Sequence, residues 1–446
     1  MLSRLDLRGC ADLTGALTRP DDGSVMTGGA DDDGALESVR AILADVRDRG
    51  DDAVRDLTER FDGCRLDDLR VPADDVRAAL DSATPELRAA LEVAADRIRE
   101  YHATQLTGPQ PALEHDGVTL GELTIPVARA GLYVPGGRAA YPSTVLMTAI
   151  PAQLAGVAER VLCVPPAADG TVPAATLAAA ALAGVTEVYR IGGAQAIAAL
   201  AYGTETIGPV DVIVGPGNRY VALAKREVAG TVGIDSFAGP SEVVVVADAS
   251  VPAGFAAADL LAQAEHGPGG SAVLVTWDPE VADAIDAALD DLLAHAPRHA
   301  EITSTLSTGG RTVLVDDALA ALNAVNVIAP EHLELLTADP SSLLPLVRNA
   351  GAVFLGPWAP AALGDYLAGV NHVLPTARTA RFASALRVDT FRKRVHVVEA
   401  TEDGLAALAP HLRVLAAAEG LDAHARSVDV RSALTLPTDQ PSAGTS

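Results

Sequence analysis

Aromatic residues are scarce in this chain, at 3% of 446. Its cores must therefore be filled by alanine, valine and leucine rather than by stacked rings. Cysteine is scarcer still. Cys10, Cys64 and Cys163 are odd in number and widely spaced, so they form no CxxC and no disulfide framework. Cys163, in RVLCVPP, reads as a small core residue. No apolar run is long enough to span a membrane, because small residues, charges and prolines interrupt each one. The opening MLSRLDLRGCADL lacks the unbroken apolar core of a signal peptide, so a cytoplasmic location is expected. Clustered basic residues are missing too. The formal charge is −26, which argues against a nucleic-acid partner, since phosphate neutralisation needs grouped Lys and Arg. The acidity itself reads as a solvated surface. Finally, no GxGxxG sits between a strand and a helix.

What is present is a globular composition, 49% hydrophobic, in a chain long enough for more than one domain. The run Asp31, Asp32 and Asp33 marks a loop or helix start before GALESVRAILADVRDRG. Helical spacing continues to about Gln105 through DDAVRDLTERF and PELRAALEVAADRIREYHATQ. GVTLGELTIPVARAGLYVPGG then alternates as strands and turns do. A strand–loop–helix rhythm follows, repeating at about 25 residues: RVLCVPP, EVYRIGG and DVIVGPG each lead into a helix, which implies parallel strands with right-handed crossovers. A second series follows from EVVVVAD, SAVLVTWD and RTVLVDD, with GAVFLGPW as a further buried strand. From about Ala383 the chain reads as helical again, with LPTDQPSAGTS as a frayed end. The Gly-rich strand ends of the first series allow a ligand close approach at the carboxyl edge of a sheet, but tight turns explain them equally.

Five stretches carry chemistry. In LLAQAEHGP, Gln263 and His266 stand three apart at a helix end closed by Gly267 and Pro268, so both can reach one point. Ser241 stands at the turn before a strand in AGPSEVVVVAD. IAPEHLELLT holds adjacent Glu331 and His332. ALGDYLAGVNHVLPT holds Asp365, Asn371 and His372, and AAEGLDAHARS holds Glu419 and His424 around a helix junction at Gly420. Each also has a bland reading: a surface pair, a cap, a solvated histidine.

Taken together, these stretches resemble the histidinol dehydrogenase family. The resemblance runs from about Val39 to Val430 through GLYVPGG, STVLM, IGGAQAIAALAYGT, GPGN, AGPSE, DLLAQAEHGP, PEHLE, VFLG, GDYLAGVNHVLPT and AAEGLDAH, in that order. It implies NAD-dependent, two-step oxidation of L-histidinol to L-histidine through bound L-histidinal, the last steps of histidine biosynthesis. It implies one Zn2+ per subunit on Gln263, His266, Asp365 and His424, with His424 donated across a homodimer. Glu331 and His332 fall on the catalytic pair, with Glu331 activating water and His332 acting as base in both halves. An imidazole near its ordinary pKa of about 6.5 suits that task. Substrate contacts fall on Ser241, Gln263, His266, His332, Asp365, Glu419 and His424, and NAD contacts on Tyr133, Gln195 and Asn218. His372 is expected to line the site. The alternative is a zinc dehydrogenase of the same fold acting on another small amino alcohol or diol.

The expected architecture is α/β: two Rossmann-like, doubly wound units with N-terminal helices and a small helical C-terminal domain that swaps in a dimer. Residues 1–130 are expected to form a helical segment and hairpin packing on the second α/β unit. Residues 131–240 form the NAD side, 241–382 the zinc and catalytic side, 383–436 the helical segment reaching the partner subunit, and 437–446 a flexible tail.

Overall fold

The computed structural model describes residues 2–18, 32–108, 111–136, 139–236, 239–267 and 269–433. Pro268, Asp31 and the expected tail 437–446 lie outside the described residues. The chain divides into two compact units. One comprises Met1–Leu106 with Pro126–Phe391, the other Thr107–Ile125 with Arg392–Ser446.

The larger unit holds two six-stranded sheets. In the first, β5 (Arg129–Tyr133), β6 (Glu159–Val164), β7 (Glu187–Arg190), β8 (Val212–Val214) and β9 (Gly233–Ile234) are parallel, and β2 (Arg70–Val71) adds antiparallel to β7. The order is β2-β7-β6-β5-β8-β9. In the second, β1 (Ser3–Asp6), β10 (Glu242–Ala247), β11 (Ser271–Thr276), β12 (Gly310–Leu314), β13 (His332–Leu336) and β14 (Ala352–Leu355) are all parallel, in the order β1-β12-β11-β10-β13-β14. Each series starts at the sheet's middle, winds outward one way, and returns to wind the other way. Such winding covers both faces with helices, which is why the strands read as unbroken aliphatic runs. Alternate residues enter opposite cores: Val243 and Val245 one, Val244 and Val246 the other.

Two expectations are corrected. The N-terminal helices pack on the first sheet, not the second. Helix Asp32–Arg49 lies against helices Gly193–Tyr202 and Arg219–Val228, Ala73–Asp81 against Ala174–Leu182, and Pro85–Ala103 against Pro142–Ala155. Their apolar stripes decide this: Val39, Leu43, Val46, Val54 and Leu57 join one face of that sheet, and Val76, Leu91 and Ile98 the other. Only β1 and helix Leu13–Thr18 serve the second sheet. The C-terminal segment is also not purely helical. Residues 392–400 form strand β15, which pairs in the smaller unit with the hairpin of β3 (Leu113–His115) and β4 (Val118–Pro126). The hairpin therefore belongs with the C-terminal segment. Helices Glu402–Ala418 and Asp422–Ala433 follow, meeting at Gly420, whose φ of 69° suits a residue without Cβ. Among the described residues no helix is long and apolar enough to cross a membrane.

One ion pair shapes the end of β8. Lys225 is 1% exposed; its Nζ donates to Gly215 O at 3.0 Å and to Asp235, whose other oxygen accepts Gly215 N–H at 2.7 Å. Gly215 needs this support. Its φ is 117°, and a Cβ there would lie 2.0 Å from Tyr133 O. Lys225→Met would leave Asp235 buried without its cation. Urea unfolding is expected to show a loss of about 3–5 kcal/mol; a loss below about 1 kcal/mol, the level of an exposed pair, would mean that the pair does not support the turn.

Candidate functional site

The chemical residues of the larger unit gather at the amino edge of the second sheet. Parallel strands force this arrangement, because each connecting helix runs back toward the edge where its strand began. Helix Ala253–Ala264 thus brings Gln263 to the edge where Ser241 and Glu242 open β10 and His332 opens β13. Helix Ala361–Tyr366 brings Asp365 there after β14. The helix carrying Gln263 ends one turn before Gly267. His266 sits just beyond it, with its backbone N–H and ring Nδ1 both on Gln263 O, at 3.2 and 3.3 Å.

Glu331 and His332 are not the surface pair that their sequence suggests in isolation; they are 7% and 4% exposed. One Glu331 oxygen accepts Ser241 Oγ–H at 2.6 Å and Glu242 N–H at 2.9 Å. His332 Nδ1 lies 3.2 Å from the carbonyl oxygen of Glu242, which can only accept, so the neutral ring carries its proton on Nδ1. Its Nε2 faces Asp365 Oδ1 at 3.5 Å, and Nδ1 lies 3.6 Å from Glu331 Oε2. Phe354 stacks on the ring at 6.0 Å.

Burial and charge set the proton affinities. For His332, burial disfavours the cation, but Glu331 and Asp365 together outweigh it and push the pKa up to about 9. This corrects the expectation of an ordinary imidazole. Burial raises Glu331, partly offset by His332 and Ser241. Asp365 is desolvated as well, yet the bond and charge of His332 hold its carboxyl below the usual range.

His372 lines the site but has no free nitrogen. Nδ1 lies 3.1 Å from Asp365 O and Nε2 3.0 Å from Thr144 Oγ1, and burial lowers its pKa. Asn371, buried, ties the same segment to Met147 O at 2.6 Å. Sequence reasoning missed Thr144, although it lies in STVLM. It also missed Glu242, the acid of AGPSE, whose carboxyl burial and Glu331 push up to about 7.

Tyr133, Gln195 and Asn218 come together elsewhere in the same unit. They line a cleft of about 980 Å³ with Pro135, Gly136, Pro165, Gly193 and the wall Arg60, Phe61 and Asp62. It opens at the carboxyl edge of the first sheet, beyond β5, β6, β7 and β8, where strand order changes direction. Gly193 N–H donates to Tyr133 Oη at 3.1 Å, leaving the phenol proton for another acceptor. Asn218 Oδ1 caps helix Arg219–Val228 through Tyr220 N–H and Val221 N–H, leaving its amide NH₂. Gln195 is 1% exposed and its Oε1 is buried without a partner. Asp62, in the same wall, has a carboxyl that burial pushes up to about 6.

The histidinol dehydrogenase family model matches residues 26–432. The chain belongs to the histidinol dehydrogenase family. It is similar to the histidinol dehydrogenase of Rhizobium meliloti (strain 1021), 51% identical over 395 residues, covering 88% of this chain and 91% of that one. That of Nocardia farcinica (strain IFM 10152) is 49% identical over 443 residues, covering 96% and 98%. A crystal structure of histidinol dehydrogenase from Elizabethkingia anophelis superposes with a TM-score of 0.89 at 35% identity, covering 96% of this chain and 98% of that one. Family membership makes the chain an oxidoreductase of histidine biosynthesis. Glu419 and His424 belong to the smaller unit, exposed at the junction of its two helices. Among the described residues no group of three or more His, Cys, Asp and Glu is gathered closely enough to hold a metal ion. Gln263, however, is 5% exposed with its Nε2 buried and unpartnered. A buried amide nitrogen without a partner is costly and calls for an acceptor that the described residues do not supply.

The raised His332 pKa has a sign. A histidine above its ordinary 6.5 stabilises the fold fully below that pH and loses the contribution as pH rises through about 9. In metal-free protein, NMR of the His332 ring is expected to show titration near 9, and Asp365→Asn to bring it down towards 6.5. A wild-type ring titrating at 6.5 would mean that the two carboxylates do not act on it.

Proposed function

We propose that this enzyme oxidises L-histidinol to L-histidine through bound L-histidinal, using NAD+ twice at one site. The observation that carries the reading is the His332 ring, its proton fixed on Nδ1 by Glu242 O and its Nε2 turned to Asp365, beside the buried Glu331. The neutral form of the ring takes the alcohol proton on Nε2 as hydride leaves the carbon, so this step needs His332 to have lost its own Nε2 proton first. In the second half, Glu331 takes a proton from the water that adds to the aldehyde; its raised affinity makes it the stronger base. Nε2 then takes a proton from the hydrate as the second hydride leaves. The sum is histidinol, two NAD+ and water to histidine carboxylate, two NADH and three protons. Keeping the reactive aldehyde bound requires that both halves share these groups.

Gln263, His266 and Asp365, with His424 of the partner subunit, form the zinc set. One chain then supplies only two ligands among His, Cys, Asp and Glu, in keeping with the absence of any larger group among the described residues. Imidazole and carboxylate suit zinc, and Gln263 can offer its side-chain carbonyl oxygen as the fourth, weaker ligand. When bound, zinc supplies a positive charge that orients the imidazole and amine of histidinol and offsets the Asp365 carboxylate. Ser241, Glu419 and His424 complete the substrate contacts. NAD+, which accepts each hydride, is held by Tyr133, Gln195 and Asn218. The N-terminus of helix Gly193–Tyr202, whose Gly193 N–H already bonds Tyr133 Oη, offers its next N–H groups to the pyrophosphate. Both sheets are read as Rossmann-like, with 131–240 as the cofactor side and 241–382 as the catalytic side. The smaller unit swaps in a homodimer, and the enzyme works in the cytoplasm.

Zinc-loaded enzyme with L-histidinol is expected to yield two NADH per histidine without free histidinal; one NADH with aldehyde released would defeat the single-site reading. Glu331→Gln should slow oxidation of supplied L-histidinal far more than of histidinol, whereas His332→Asn should slow both by about 10²–10⁴-fold. Equal losses on both substrates for Glu331→Gln would remove the division of labour. Mixing His424→Ala with His266→Ala chains should restore about one quarter of wild-type activity through heterodimers with one complete site. Verified heterodimers without activity would show that His424 does not act in trans.

A further inference from the structure

Strand β13 carries a residue that its surroundings do not call for. Leu333 and Leu335 enter one core and Leu336 the other, as befits a central parallel strand buried on both faces. Yet Glu334, at its middle, is 0% exposed. A carboxyl there is costly unless its partners are supplied. One oxygen accepts the backbone N–H of Ala361 at 2.8 Å. Its second oxygen, Oε2, is buried without a hydrogen-bond partner among the described residues, and the charged neighbour that acts on it is the carboxyl of Asp259. Two desolvated carboxyls side by side do not both ionise, so the pair holds a proton. Burial and Asp259 together push Glu334 up to about 9, in keeping with that proton.

The three contacted positions stand in a fixed relation to the site. Glu334 is two residues from His332, on the same face of β13. Asp259 precedes Gln263 by four residues on the helix Ala253–Ala264, again on one face. Ala361 opens the short helix whose fifth residue is Asp365. A single side chain on the strand of the base thus bonds one helix that carries a proposed zinc ligand and is linked by charge to the other. Neither oxidation step uses it.

We propose that Glu334 is a positioning residue that ties β13 to the helices of Gln263 and Asp365 and thereby sets the spacing between His332 and the metal-holding carboxylate. This rests on the roles given above to His332, Gln263 and Asp365. The chemistry of the tie specifies its substitutes. Glutamine at 334 keeps an oxygen for Ala361 N–H and offers N–H to an ionised Asp259. Leucine offers neither, yet suits a buried strand, and the groups it leaves behind, Asp259 and Ala361 N–H, belong to half-buried residues that can turn to water rather than stay unpaired.

The test compares Glu334→Gln and Glu334→Leu in the full-length enzyme. Glu334→Gln is expected to keep kcat and Zn2+ affinity within about threefold of wild type. In Glu334→Leu, kcat and Zn2+ affinity, measured by chelator competition, should each fall by about 10–100-fold. Tm and the KM for NAD+ should stay unchanged, because the NAD cleft lies on the other sheet. Crystal structures supply a readout that needs neither zinc nor substrate. The 3.5 Å separation of His332 Nε2 and Asp365 Oδ1 should persist in the Gln variant and lengthen by about 1 Å in the Leu variant, a displacement able to cost about 10²-fold in rate. Retained spacing in Glu334→Leu, or equal losses in both variants, or a loss that follows Tm, would overturn the proposal. Wild-type enzyme that neither holds zinc nor turns over histidinol would instead refute the site reading, and the spacing comparison would still decide the role of Glu334.

Discussion

An imidazole held between two carboxylates, in a setting nearly closed to water, is the interaction on which this molecule's chemistry depends. In water such a trio would differ little from its separated parts. Buried at the start of β13, His332 responds strongly to Glu331 and Asp365 because little solvent screens them. The carbonyl of Glu242 adds orientation, since it fixes which nitrogen carries the proton. Orientation and proton affinity therefore come from different partners: a backbone group that cannot titrate and two side chains that can.

The sheets turn this local arrangement into a site. Parallel strands with returning helices deliver helix C-termini and strand starts to the same edge, so residues far apart in sequence meet without any long loop. Ser241, Gln263, Glu331 and Asp365 converge in this way. The first sheet has its cleft at the opposite edge, where strands end and helices begin. One winding pattern, repeated, thus gathers buried titratable side chains at one edge of the second sheet and opens a cleft at the opposite edge of the first.

Much of this was legible in the sequence. The aliphatic runs and helical spacings announced both strand series, and the long motifs pointed to the family and held the residues that the fold brings to one edge of the second sheet, among them Ser241, Gln263, Glu331, His332 and Asp365. The packing partner of the N-terminal helices was not legible, because an apolar stripe such as Val39, Leu43 and Val46 says that a helix is covered but not by which sheet. Strand β15 was hidden because RKRVHVVEA is largely exposed and highly charged, with little of the alternation that marks a half-buried strand. HLELL was not recognised as a central strand, since Glu334 interrupts its aliphatic character. That interruption was itself the signal: a carboxylate among buried leucines requires partners, and those partners lie in the helices of the site.

The N-terminal strand imposes a constraint in time. Ser3 pairs with Arg311, and β1 has no other neighbour in its sheet. On a ribosome adding 5–20 residues per second, roughly 300 residues separate the strand from its partner, a wait of roughly 15–60 s. In that interval the helices of 32–103 and the whole first sheet have been made and can close on each other, while SRLD stays unpaired. An apolar strand left open so long would invite other chains to its edge. Arg4 and Asp6 make this one soluble while it waits, and Arg4 later finds Asp283 and Asp286 beside its docked position. The β12 edge of the second sheet is therefore closed by a segment made long before it, and the docking of β1 there reports that translation has passed β12.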